Sequence, residues 1–341
     1  MSATTTDTRT PSLTRAWSAR GRWPLGTLAG ALVAGALVLL PLVFVIVEAV
    51  HPGLGEARRL LLRHTVAVLL WNTVRLTAAC MLLCAVLGVA AAWCVERTSL
   101  PARRLWAVLL VLPLGIPDFV IAFGWVSIAP GLRGYTAAVM IMTLSLYPLV
   151  YVPVASALRH LDGTLEEAAR SLGVGPWRTF ARVTLRQLRP ALLGGCLLVT
   201  LALLAEYGAF EIVEYRTFTV AIFTQFELGF NTAAACVLSV VLVALGVVVL
   251  GGELALSGPA DARRSTRGPR RPAPRVRLGR LTALPLTGLG ALAGLALGVP
   301  CGALVYWLIK GGSSTLPATS VGSAIGHTAA YSAAAAGLAT A

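Results

Sequence analysis

Apolar residues run along this chain in long blocks, with neither the 3.6-residue period of a half-buried helix nor the two-residue alternation of a strand. The segment 25–47, LGTLAGALVAGALVLLPLVFVIV, carries no charge. At 1.5 Å per residue such a run crosses a hydrocarbon core of about 30 Å as a helix. The pattern predicts spans at about 27–50, 69–94, 105–129, 135–156, 191–208, 232–256 and 282–308, with an eighth starting near 325. The expected fold class is all-α, a polytopic membrane helix bundle. The first run is too long for the core of a cleavable signal peptide, and more than twenty polar or mixed residues precede it, so it is expected to stay as an anchor.

Composition agrees. Of 341 residues, 57% are hydrophobic and 12% charged, where a soluble domain carries about 25% charge. The net charge of +14 suggests nucleic acid until its location is considered. With the N-terminus inside, the stretches 1–26, 95–104, 157–190 and 257–281 are cytoplasmic and hold 21 of the 28 Lys+Arg residues. That is the positive-inside pattern of a membrane protein, so the partner expected is lipid and not nucleic acid. The basic, proline-rich run at 263–280 reads as a cytoplasmic linker, with an anionic-lipid patch as the alternative. All six cysteines fall in apolar spans, with no CxxC pair and no metal-ligand spacing. There is no GxxxxGK[ST], HExxH or GxSxG, and Lys310 is the sole lysine. The chain is therefore expected to be no ATPase or hydrolase and to bind no cofactor itself.

Two segments begin alike. NTVRLTAA (72–79) opens the second span, and HTAAYSAA (327–334) opens the eighth. Each follows a proline-containing span, with Pro41 and Pro300 in matching positions. This spacing predicts a parallel repeat of six-span units. The division expected is a cytoplasmic tail at 1–26, a first unit at 27–256, a linker at 257–281, and an incomplete start of a second unit at 282–341. On this reading the chain is a fragment or truncated product of a longer protein.

The apolar pattern breaks at 161–195, LDGTLEEAARSLGVGPWRTFARVTLRQLRPALLGG. Thr164 and Glu167 have capping-box spacing, and the acids precede Arg170 as the helix dipole prefers. Gly173 suits a left-handed helix stop, and Pro176 the first turn of a second, amphipathic helix. Ala168 and Ala169 leave the short helix a smooth surface that a partner's groove can approach.

EAARSLG at 167–173, nine residues, then VTL at 183–185 resembles the EAA loop of bacterial ABC-importer permeases. The family pattern is E-A-A-x-x-x-G, nine residues, then I-x-L-P. This chain departs from it at Val183, which replaces isoleucine, and at Arg186, which replaces proline. LPLGIPDFVIAFGW (112–125) and YRTFTVAIFTQF (215–226) resemble the ferric-iron branch, whose members fuse two six-span units. The resemblance implies a permease subunit in the bacterial plasma membrane, multi-pass, with two cytosolic ATPase subunits and an extracytoplasmic substrate-binding protein as partners. ATP would be used by the ATPase subunits alone. The residues implied in coupling are Glu166, Glu167, Ala168, Ala169, Leu172 and Gly173. The same layout serves thiamine-type relatives, and a polyamine is another possible cargo.

Asp118, near the middle of the third predicted span, is expensive there and expected to face the bundle interior or water. Arg75 lies at a depth within its reach, either as a pair lining the path or as a structural clamp. The outer segment 206–227 sets Glu206, Glu211, Glu214 and Glu227 against Arg216 alone. Arg75, Asp118 and Glu206 are the candidates for a substrate path, and Glu211, Glu214 and Arg216 for docking the binding protein, with simple solvation as the alternative. Two rivals stay open: an ion-coupled secondary transporter working through Asp118, and a non-transporting membrane scaffold.

Overall fold

The computed structural model describes residues 25–51, 53–161, 163–257, 276, 279–311 and 318–340. Most of the predicted tail at 1–26 and linker at 257–281 lies outside these residues. Among them the fold is helical, with one isolated bridge between Thr98 and Val276. Lipid offers a backbone no hydrogen bonds, so apolar runs close their own as helices.

Helix α1 (Leu25–Val50) is followed by a short amphipathic helix α2 (Leu54–Leu61), which the apolar pattern does not announce. Helix α3 (His64–Arg97) is longer than a bilayer requires, and its last residue is Arg97. The expected straight span at 105–129 is instead bent. Helix α4 (Arg103–Leu109) and a 3₁₀ turn (Leu112–Gly115) meet α5 (Asp118–Ile128) at 93°. The cause is local. Ile116 precedes Pro117, and a residue before proline is pushed out of the helical region; Ile116 sits at φ −104° and ψ 124°. The break leaves Asp118 in the first turn of α5, where a helix dipole favours an acid.

Helices α6 (Gly134–Leu146) and α7 (Pro148–Arg159) form the most enclosed span, its apolar window 72% buried. After α8 (Thr164–Ser171), α9 (Pro176–Thr179) runs through a π turn (Phe180–Thr184) into α10 (Leu185–Ala205). The second helix of the polar insert is thus continuous with the fifth span. On the far side come α11 (Gly208–Ile212), α12 (Phe218–Phe223) and a π turn (Thr224–Leu228) before α13 (Thr232–Ser257). Helices α14 (Ala283–Ala293), α15 (Val299–Lys310) and α16 (Ala318–Thr340) complete the described chain.

The core gathers around α7, which packs on α3 and α10. An added Cβ at Gly88 would lie 2.8 Å from Val150 Cβ, and one at Gly195 would lie 2.9 Å from Val150 Cα. Helices α3 and α10 therefore close on α7 through their glycines, as membrane helices do where dispersion contact replaces the hydrophobic effect. Helices α1 and α2 pack on α13 in a satellite cluster, and α15 packs on α5. Among the described residues, six helices are long and apolar enough to cross a membrane, or seven with the bent pair taken as one span.

Candidate functional site: a capped polar loop and two polar clusters

The loops form two groups at opposite ends of the bundle. At one end the C-termini of α3 and α7, helix α8 and the first π turn come together. At the other, α2 and the start of α3 meet the segment 206–231.

Helix α8 starts at Thr164 with Gly163 at its N-cap, so the Thr164–Glu167 spacing begins one residue inside the expected box. Its other end forms as predicted. Gly173 takes φ +78°, its N–H donates to Arg170 O at 3.0 Å, and Val174 N–H donates to Ala169 O at 3.0 Å. These two bonds are the Schellman stop. Leu165, Glu167, Ala168, Leu172 and Gly173 are exposed, and Ala169 half-buried. The loop therefore offers a low, capped helical face to its surroundings.

Glu166 does not belong to that face. It is 4% exposed and is the one buried residue of α8. Its Oε1 accepts from Arg97 Nη2 at 2.7 Å and from Thr184 Oγ1 at 2.7 Å. Glu166, expected among the coupling residues, thus faces inward and is not part of the exposed surface of α8. Arg97 and Thr184 are functional candidates that the sequence did not single out. The available signal was an arginine in the last turn of a span; nothing in sequence points to Thr184.

The expected Arg75–Asp118 pairing is also replaced. Arg75 Nε donates to Tyr215 Oη at 2.9 Å, and its guanidinium carbon lies 4.5 Å from the Tyr135 ring centre. Tyr215 Oη donates onward to Asn72 O at 3.0 Å. Burial pushes the Tyr215 phenol above its ordinary pKa, against the opposing pull of Arg75, so the proton this relay needs stays in place. Asp118 instead accepts from Ser145 Oγ, and the Glu206 carboxylate lies close by, its Oε1 accepting from Ala209 N–H at 2.7 Å. The substrate-path candidates thus fall into two clusters, Arg75 with tyrosines and Asp118 with Glu206.

On the outer group, Glu211, Glu214 and Arg216 are exposed. All three line an open cavity of about 720 Å³ together with Leu60, Arg63 and Gln225. Glu214 also forms an ion pair with Arg133. Among the described residues no three His, Cys, Asp or Glu side chains are grouped to hold a metal ion.

Comparison with known proteins shows what this chain is similar to. Residues 85–254 match the family described as binding-protein-dependent transport system inner membrane component. The Fe(3+)-transport system permease protein FbpB 2 of Haemophilus influenzae is 36% identical over 284 residues, covering 83% of this chain and 56% of that protein. The chain thus spans little more than half the length of that relative. The sulfate transport system permease protein CysW of Synechocystis is 32% identical over 237 residues, covering 63% of this chain and 85% of the relative. In fold, the chain resembles a bacterial ABC transporter involved in the import of the polysaccharide alginate, at a TM-score of 0.52 and 14% identity over 72% of this chain and 96% of that one. The matched segment runs from the middle of α3 to near the end of α13 and holds the α8 loop, Asp118, Glu206, Glu211, Glu214 and Arg216; Leu60, Arg63, Asn72 and Arg75 lie before it. The chain belongs to the family of binding-protein-dependent transport system inner membrane components.

Proposed function

We propose that this chain is the membrane-spanning permease subunit of an ATP-driven importer whose cargo is ferric iron. The observation that carries the reading is the exposed face of α8, stopped by Gly173 and anchored from behind by Glu166. A cytosolic ATPase subunit docks on that face through Glu167, Ala168, Ala169 and Leu172. Hydrolysis occurs in the partner; this chain supplies the path. The end bearing α8 is cytoplasmic, as the clustered arginines require. An extracytoplasmic binding protein docks at the opposite end, over Glu211, Glu214 and Arg216. Ferric iron as cargo is supported by the relative at 36% identity that is named for Fe(3+) transport.

A second cargo class, oxyanions, is favoured by the relatives named for sulfate and molybdenum transport and by the guanidinium of Arg75 held between Tyr135 and Tyr215. The test is uptake into proteoliposomes containing the chain with its ATPase subunits and binding protein. Radiolabelled ferric iron should accumulate with ATP, and labelled sulfate should not. Uptake of sulfate alone would move the assignment to the second class, and uptake of either without ATP would refute the importer.

A further inference from the structure

We infer that Arg97 and Glu166 form the pin through which movement of α8 reaches the membrane helices, an inference that rests on the importer reading above. Glu166 is the one side chain of α8 that the rest of the chain buries, so a displacement of α8 acts first on its carboxylate. A single oxygen, Oε1, meets Arg97 at the end of α3 and Thr184 at the head of α10, each at 2.7 Å. Three elements that enter the bundle from different sides thus share one atom.

The surroundings stiffen that junction. The Arg97 guanidinium carbon lies 5.7 Å from the Trp93 ring, and Trp93 meets Phe180 edge-on at 4.7 Å, one turn before Thr184. Beside the pin, Arg159 of α7 pairs with Glu96 at 2.7 Å. The backbone of Arg97 is held as well: its carbonyl accepts from Val276 N–H at 2.8 Å, and Ser99 N–H donates to Val276 O at 3.2 Å. Val276 is therefore fastened at the same residue.

Stability alone is a poor reason for this arrangement. Burying two charges costs solvation that their attraction only partly returns, and Arg97 Nε is buried without a partner among the described residues. A directional ionic strut instead transmits force without the slip of an apolar contact. Glu166 and Arg97 are positioning residues and touch no cargo.

The test uses the complete importer in proteoliposomes, with three readouts: co-purification of the ATPase subunit, ATP hydrolysed, and cargo moved per ATP. Glu166→Gln preserves shape and removes the charge; Arg97→Glu with Glu166→Arg reverses the pair. Glu166→Gln should leave ATPase co-purification unchanged and lower cargo moved per ATP by at least about tenfold, within the usual range of coupling between sites. The reversed pair should recover part of that ratio where Arg97→Glu alone does not. A simple loss of folding would lower co-purification and transport together, without changing cargo per ATP. Wild-type cargo per ATP in both Glu166→Gln and Arg97→Lys would overturn the pin. The importer reading fails separately, if Ala168→Arg on the exposed face leaves ATPase co-purification and transport intact.

Discussion

An arginine–glutamate pair stands in each of the two loop groups, and the two are built alike. At one end Arg97 meets Glu166; at the other Arg133 meets Glu214. Each glutamate belongs to a short helix and its stop: α8 ends through Gly173, and α11 ends through Glu214 itself, with Glu214 N–H donating to Glu211 O and Tyr215 N–H to Phe210 O. Their exposure separates them. The side chains of the first pair are 4% and 5% exposed, those of the second 49% and 61%. A buried charge cannot lose its partner cheaply, whereas a solvated one has water as a substitute. The α8 loop therefore turns its charge inward and keeps a smooth exposed face. The outer loop displays its charge, and Glu214 accepts a left-handed φ of +56° to do so.

Removing the buried glutamate should show the contrast most strongly. Glu166→Ala leaves Arg97 unpaired in a dry site and is expected to cost roughly 3–5 kcal/mol. Thermal unfolding in nanodiscs should show a large drop in Tm, while Glu214→Ala leaves Tm nearly unchanged. Equal shifts would erase the distinction between the two ends.

The two helix stops should respond with opposite signs. A Cβ added at Gly173 meets no atom within 4 Å, so the cost of Gly173→Val is set chiefly by the left-handed backbone, about 1–2 kcal/mol. Glu214→Gly relieves the same conformation and should gain up to about 1 kcal/mol, less whatever the exposed ion pair contributes. Hydrogen exchange over 164–174 and 208–216 reads both: faster in the first variant, slower in the second. Equal exchange in Gly173→Val and wild type would remove the stop from the account.

Within the bundle, Asp118→Asn preserves the hydrogen bond from Ser145 and should keep the fold and most transport. Asp118→Leu leaves Ser145 unpaired and should cost about 1–3 kcal/mol. If the two variants unfold alike, the hydrogen bond of Asp118 does not matter. The smallest effect is expected from Arg133→Gln, under about 1 kcal/mol, and from raising salt, which screens the same exposed pair. A larger loss would mean the outer pair is not solvated as described.

Length and apolarity made the membrane helices readable, because a span needs only a run of the right composition. The stop at Gly173 was readable too, because a left-handed position selects glycine. The bend at Ile116–Pro117 carried its signal in the proline, yet a window average over 105–129 hides it. Helix α2 escaped because eight mixed residues give no periodic run. The inward turn of Glu166 was not readable: Glu166 and Glu167 are adjacent acids, and only the docking of α8 against α3 and α10 decides which is buried. The partners of Arg75 and Asp118 depend on how α3, α5 and the outer loop cross, which one sequence does not encode locally.

On the proposed function, the exposed face of α8 meets the ATPase subunit. A photo-crosslinking amino acid at Ala168 tests it in the assembled importer. The account predicts an adduct with the ATPase subunit from position 168, and none from the same group at Glu211 on the opposite end. No adduct from 168 while the complex stays intact, or an ATPase adduct from 211, would contradict it.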